Sequence, residues 1–148
     1  MFAALIAIGA AGAGAAQDNS QLLKDRQALM KEQAKDLGTV KAYFTGKGDQ
    51  AGATAAATNL TTTMHKIPDL FPPGSGAASP DGKYQPKAEI WTEWDKFLAA
   101  RDTAAKKVDV LVAAIKTGAT ADVQAAFADL GKHGCGGCHE NFRKKLAD

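Results

Sequence analysis

The stretch KAEIWTEWDKFLAARDTAAKKVDVLVAAIKTG, residues 87–118, carries the clearest structural pattern in the chain. Its larger side chains recur at steps of three and four residues, which is the spacing of one helical face. The residues on this face are Ile90, Trp94, Phe97, Leu98, Arg101, Ala105, Val108, Leu111, Val112 and Ile115. Gly118 follows where a left-handed cap is favoured. The pattern therefore predicts a helix that ends near residue 117.

Three more segments on either side of this helix have helical character, and none has the alternation of a strand. They cover about residues 20–45, 49–66 and 120–146. Asn19 or Ser20 is suited to cap the first of them. The second is the weakest prediction, because it is short and rich in Ala and Thr.

A long connection, residues 68–86, separates the second and third helices and contains all five prolines. It is too long for a plain turn in a compact bundle. Phe71 and Tyr84 are predicted to anchor it to the core. The four helices predict an all-α fold, an antiparallel four-helix bundle with one long loop between helices 2 and 3.

Residues 1–16 differ in composition from the rest of the chain of 148 residues. They contain no charge, and an apolar run is followed by Ala and Gly. This pattern is typical of a secretory signal peptide cleaved near Ala16; a disordered apolar leader is the alternative. Residues 17–148 then form a single domain, which we expect in the periplasm, with no membrane span in the mature protein.

Near the end of the chain, Cys135–Gly136–Gly137–Cys138–His139 has the spacing of a c-type haem attachment motif. Two thiols three residues apart can form thioethers with the two vinyl groups of one porphyrin, and the adjacent imidazole then faces the iron. On a helix, Cys135 and His139 lie one turn apart. We therefore predict one haem c, covalent through Cys135 and Cys138 and carried on helix 4, with His139 as an iron ligand.

Other uses of the two cysteines stay open on the motif alone. A thiol–disulfide oxidoreductase could use Cys135 and Cys138, but such a pair usually lies near a βαβ pattern. A zinc site needs more ligands, and a structural disulfide would not require His139. The predicted export and the all-helical pattern favour haem.

The position of this motif, in the last predicted helix, resembles the cytochrome c-prime family, the class II cytochromes c. Short pieces that match it in order are Arg26–Gln27, Leu70–Phe71–Pro72, Gly74–Ser75, Glu89–Ile90–Trp91 and the stretch from Cys135 to Arg143. The resemblance covers the whole predicted mature chain. It implies a four-helix bundle with the haem on its last helix.

Members of that family differ at the sixth coordination position of the iron. Most leave it empty behind an apolar residue of the first helix, are high-spin and bind NO or CO. A smaller branch, the cytochrome c-556 type, places a methionine there and is low-spin. Residues 26–31, RQALMK, align with this region, so the resemblance implies that Met30 is the second iron ligand. By periodicity alone Met30 would be an ordinary core residue, and Met64 is a weaker ligand candidate.

The same resemblance places three more residues at the cofactor. Arg26 and Gln27 lie about one turn before Met30. Arg26 could pair with a haem propionate by charge-assisted hydrogen bonds, or it could be a solvated arginine. Arg143 lies one turn after His139, near the proximal face.

The function expected from these observations is outer-sphere electron transfer by a periplasmic monohaem cytochrome, not enzymatic catalysis. A five-coordinate gas-binding cytochrome and a thiol–disulfide enzyme are the alternatives. The formal net charge of +2 gives no case for a nucleic-acid partner. The expected partners are unidentified redox proteins and a second copy of this chain, because family members often pair.

Overall fold

The computed structural model describes residues 12–146. Most of the predicted signal peptide, residues 1–11, lies outside the described residues, as do residues 147–148. The elements in chain order are α1 (Gly12–Phe44), α2 (Gln50–Lys66), a 3₁₀ turn (Pro68–Leu70), β1 (Tyr84–Pro86), α3 (Glu89–Thr92), α4 (Trp94–Thr117), α5 (Thr120–Asp129), a π-helical segment (Leu130–Gly136), α6 (Gly137–Phe142) and β2 (Arg143–Lys145).

The long helices form a four-membered bundle. α1 packs on α2 and α5, and α4 packs on the same two helices. The fourth member consists of α5, the π-helical segment and α6, which follow one another without a loop. Among the large side chains buried between the helices are Val40, Leu60, Phe97, Val108, Leu111, Ile115, Val123 and Leu130. The predicted four-helix bundle with a long loop between its second and third members is confirmed.

The first helix begins earlier than the sequence pattern predicts. Gly12 is already helical, and α1 continues past Asn19 and Ser20 without the predicted cap. Alanine is the strongest helix former, so the residues around Ala15 and Ala16 extend the helix towards the N-terminus. Within residues 12–146, no helix is long and apolar enough to cross a membrane.

The predicted third helix is interrupted at Glu93, whose φ of −130° and ψ of 47° are not helical. The short helix before this break packs on the long loop, because Trp91 Nε1 donates to the carbonyl oxygens of Phe71 (2.9 Å) and Pro72 (3.0 Å). The long helix after it faces the core, where the Phe97 ring packs edge-on against that of Phe142 in α6. These two sets of long-range contacts require the two helices to have different orientations. Local periodicity does not reveal this difference.

The prediction that the fourth helix runs to residue 146, without strands, is wrong. The helix ends at Phe142, and β2 pairs antiparallel with β1 of the long loop, with Gln85 opposite Lys144. The Lys87 N–H donates to the Phe142 carbonyl oxygen at 2.9 Å beyond one end of this ribbon. The pairing satisfies backbone groups that a helix would otherwise satisfy, and it joins segments far apart in sequence.

Arg26 fixes the other end of the long loop to α1. It is 8% exposed, and its guanidinium donates to the Leu70 carbonyl oxygen from Nε (3.1 Å) and Nη2 (2.7 Å). It also donates to the Ser75 carbonyl oxygen (3.2 Å) and to Ser75 Oγ (2.9 Å). The guanidinium carbon lies 3.9 Å from the centre of the Phe71 ring. Phe71 is buried against Phe97, so its predicted role as a loop anchor is confirmed.

We expect Arg26→Met to lower the free energy of unfolding by about 3 kcal/mol, because it leaves two loop carbonyl groups and a buried hydroxyl without their charged donor. Urea unfolding of the holoprotein measures this. Lys24→Met is the matched control, because Lys24 is exposed on the same helix. Equal stability of the two variants would show that Arg26 does not hold the loop.

Candidate functional site

A cavity of about 420 Å³ lies between the helices and the long loop, within the range of about 300–1,000 Å³ that is common for ligand sites. Its walls come from α1, the end of α2, the long loop, α3, α4 and the last helical stretch. All the residues that the sequence places at the cofactor line this cavity. They are Arg26, Gln27, Met30, Cys135, Cys138, His139 and Arg143.

The attachment motif spans a change of helical form. Cys135 lies in the π-helical segment, whereas Cys138 and His139 lie in α6. A π-helical turn holds more residues than an α-helical turn, so it changes the direction in which the following side chains point. With this turn, Cys135, Cys138 and His139 are all partly buried on the same cavity. The sequence pattern predicts an uninterrupted α-helix here, because a single π-helical turn leaves no signal in periodicity.

The glycines of this region differ in the space around them. A Cβ on Gly134 would lie 2.9 Å from Leu130 Cδ1 and 3.3 Å from Ala104 Cα. A Cβ on Gly136 would lie 2.9 Å from the Gly131 carbonyl oxygen, whereas one on Gly137 would meet nothing within 4 Å. The two glycines between the cysteines are therefore not equivalent: the first is required by the π-helical turn, and the second is not.

We expect Gly136→Ala to lower the free energy of unfolding by about 1–3 kcal/mol, because the backbone must move to accommodate the methyl group. The yield of haem-bearing protein should fall with it. Gly137→Ala is the matched control and should raise the stability by up to about 1 kcal/mol, because alanine favours a helix over glycine. Thermal unfolding and haem content measure both; equal effects would contradict the assigned role of the π-helical turn.

The two thiols lack the electrostatic environment of a redox enzyme. Burial raises the pKa of Cys135, and it raises the pKa of Cys138 to about 11, helped by the neighbouring Cys135 and opposed by Arg143. Reactive cysteines have lowered pKa values, because the thiolate is the nucleophile. The pair also follows no strand. The site therefore disfavours the thiol–disulfide oxidoreductase.

His139 has the protonation state that an iron ligand needs. Burial, and next the positive charge of Arg143, lower the pKa of His139 to about 4. The imidazole is therefore neutral at pH 7, with a ring nitrogen free to bind a metal. The other two histidines, His65 and His133, are exposed, and His133 Nδ1 lies 2.7 Å from Asp129 Oδ1.

Two methionines reach the cavity from different helices. Met30 of α1 is partly buried, and Met64 of α2 is 3% exposed. Both also contact the hydrophobic core. The structure thus brings Met30 to the same cavity as His139, as the resemblance implies, and it places the weaker candidate Met64 there as well.

Two cationic residues of this cavity, Lys31 and Arg101, were not predicted from the sequence to lie at the cofactor. Arg101 lines the cavity from α4, although the sequence analysis placed Arg101 only on the core face of its helix. An arginine within an otherwise apolar helical face was the available signal, because a charge in such a position needs a partner. With Arg26, Lys31 and Arg143, it makes the lining strongly cationic against the single carboxylate of Asp81.

The chemistry of these residues fits haem. Cys135 and Cys138 supply two sulfur atoms at thioether spacing, and His139 supplies a neutral imidazole beside them. Aromatic rings form an apolar wall, with the Phe97 ring 5.2 Å from that of Phe71 and 5.4 Å from that of Phe142. The cationic lining is complementary to two propionates. A four-helix bundle with these features is a monohaem c-type cytochrome.

Comparison with known proteins identifies the family. The family model for cytochrome c′ matches residues 21–143. Cytochrome c-556 of Rhodopseudomonas palustris is 35% identical over 136 residues, which cover 90% of this chain and 89% of that protein. The crystal structure of cytochrome c′ from Rubrivivax gelatinosus has a TM-score of 0.71 and 30% identity, covering 85% of this chain and 97% of that one. A nitric oxide complex of a mutant cytochrome c′ from Alcaligenes xylosoxidans has a TM-score of 0.73 and 25% identity, covering 86% and 97%.

The chain therefore belongs to the cytochrome c′ family. Members of this family carry covalent haem c, and the cysteine pair of this chain has the spacing that such attachment needs. Both branches considered in the sequence analysis, c-556 and c′, occur among the relatives. Family membership alone does not choose between them.

Proposed function

We propose that the protein is a periplasmic electron carrier whose haem is attached through Cys135 and Cys138 and whose iron is held between His139 and Met30. The observation that carries this proposal is the position of Met30, which lines the same cavity as His139 from a different helix. The relative from Rhodopseudomonas palustris described above, which is named cytochrome c-556, supports the proposal.

The residues of the chain suit a six-coordinate site. His139 is neutral, so its nitrogen is available without loss of a proton. Met30 is unbranched and flexible, so its sulfur atom can adjust to a metal. An imidazole and a thioether together raise the reduction potential and fill every coordination position, which suits transfer of single electrons without binding of a substrate.

The remaining site residues support this arrangement in different ways. Arg26 holds the loop that forms one wall of the cavity, and burial lowers the pKa of Arg26 to about 10, so it stays cationic at pH 7. Gln27 and Arg143 line the cavity, and the Arg143 guanidinium lies 4.4 Å from the centre of the Tyr84 ring. We propose that all three contact the haem or its propionates.

The proposal of a periplasmic location is supported by the uncharged leader, residues 1–16, and by the attachment motif. The proposed partners are redox proteins that approach the surface around the attachment motif, where Lys132 and Lys144 are exposed. Charges at such a rim act chiefly on the rate of encounter. Pairing with a second copy stays a prediction.

A redox titration in buffer with and without dissolved CO tests the proposed function. CO binds ferrous haem at the sixth coordination position and then raises the midpoint potential, but it must first displace any thioether bound there. We expect one reversible one-electron step with nearly the same midpoint in both titrations, because Met30 competes with CO for the sixth position. A large positive shift under CO would contradict the electron-carrier proposal.

A gas-binding function is the second candidate, and a specific relative favours it. The Alcaligenes xylosoxidans structure is described as a nitric oxide complex of a cytochrome c′. If Met30 only packs in the core, the same cavity would offer an open position opposite His139. The CO titration separates the two functions, since only the open site responds.

A further inference from the structure

Arg101 is a cavity-lining arginine with an incomplete set of hydrogen bonds. Its side chain is 15% exposed, and its Nε–H is buried without a hydrogen-bond partner. Among the described residues, no other buried side-chain nitrogen or oxygen atom lacks a partner. A buried donor that is left without an acceptor is costly, and more so when it belongs to a charged group, so this position indicates a missing acceptor.

The neighbours of Arg101 hold its guanidinium in place without satisfying it. Nη1 lies 3.1 Å from Nδ1 of His65, at the end of α2. Nε lies 3.0 Å from Oδ1 of Asp102, but the two do not have hydrogen-bond geometry. Asp102 is 54% exposed, and an ion pair to so exposed a carboxylate contributes little. Arg101 is therefore positioned at the cavity with its Nε–H still available as a hydrogen-bond donor.

The other cations of the cavity are engaged differently. Four hydrogen bonds tie Arg26 to the long loop, and Arg143 stacks on Tyr84. Lys31 is exposed on α1. Since a buried N–H without a hydrogen-bond partner is found only at Arg101 among these described side chains, Arg101 is the strongest candidate to receive a carboxylate from a molecule in the cavity.

We propose that Arg101 binds a propionate carboxylate of the haem. This rests on the haem attachment proposed above. A guanidinium forms charge-assisted hydrogen bonds to carboxylates, with one or two donors. Binding of the propionate would complete the hydrogen bonds of Arg101 and neutralise a charge inside an otherwise apolar wall.

The test uses ferric and ferrous holoprotein of Arg101→Met, Arg101→Lys and the wild type. The resonance Raman bending mode of the propionates follows their hydrogen bonding. We expect this mode to move to lower frequency in Arg101→Met, and the midpoint potential to fall, because a cation near the iron disfavours the ferric state. Arg101→Lys should show smaller changes in both the propionate frequency and the midpoint potential. Lys106→Met, an exposed position on the same helix, is the control and should leave the mode unchanged.

Normal haem content with an unchanged propionate mode in Arg101→Met would overturn the proposal for Arg101. Absence of a pyridine haemochrome from the wild type would instead contradict haem attachment itself, so the two failures are distinguishable. If Arg101→Met does not mature, nuclear magnetic resonance of the wild-type ferrous protein tests the proposal instead. We expect a nuclear Overhauser effect between the Arg101 Nε–H and a propionate methylene. Its absence would contradict the proposal.

Discussion

Replacing Met30 with Ala is expected to convert the haem from low-spin to high-spin and to open it to CO. The thioether must leave the iron before CO can bind to the wild-type protein, so its removal eliminates that step. We expect the rate of CO binding to rise by more than about tenfold, which corresponds to a barrier lower by about 1.4 kcal/mol. Stopped-flow mixing of ferrous protein with CO measures the rate, and the ferric visible spectrum reports the spin state.

Met64 supplies the matched control for this experiment. It is a second methionine on the same cavity and is more deeply buried than Met30. Met30→Leu and Met64→Leu make the same change at the two positions, with a packing cost of less than about 1.5 kcal/mol each. Only Met30→Leu should alter the spin state. If Met64→Leu alters it instead, the distal ligand lies on α2.

Replacing His139 with Ala is expected to abolish normal haem ligation. Changes to residues that merely support a metal ligand cost about 10–100-fold in metal affinity or activity, and loss of the ligand itself should cost more. The variant should yield little holoprotein. Any holoprotein that does form should lack the low-spin spectrum. His133→Ala is the control, because His133 is exposed close to the motif and its ring contacts Asp129. A normal low-spin spectrum of His139→Ala would eliminate this residue as the proximal ligand.

The sequence predicts the bundle well because its helices follow local rules. The apolar spacing of residues 94–115 survives as the buried face of α4, with Val108, Leu111 and Ile115 in the core. Gly118 adopts the predicted left-handed cap, with a φ of 77°. These features depend on side-chain periodicity and on the conformational freedom of glycine. Both can be read directly from the amino-acid sequence.

The features that sequence analysis missed depend on contacts between distant segments. The strand after Phe142 exists because the long loop supplies its pairing partners. The kink at Glu93 separates a helix that packs on the loop from one that packs in the core. Local helix propensity carries no information about these distant contacts. A prediction based on it therefore continues the helices through Glu93 and past Phe142.

The candidate site divides in the same way. The motif and the resemblance place seven residues at one cofactor, and the structure brings all of them to one cavity. The hydrogen bonds of Arg26 to Leu70 and Ser75 could not be predicted, because they span more than 40 residues of chain. The contact between Arg101 and His65, which joins residues 36 positions apart, could not be predicted for the same reason.

The near-infrared absorption of the ferric wild-type protein tests the central claim most directly. A methionine sulfur bound to ferric haem opposite a histidine gives a weak sulfur-to-iron charge-transfer band in this region. Coordination by His139 and Met30 predicts this band in the wild type and its loss in Met30→Leu. A wild-type spectrum that lacks the band and shows high-spin features would contradict ligation by Met30.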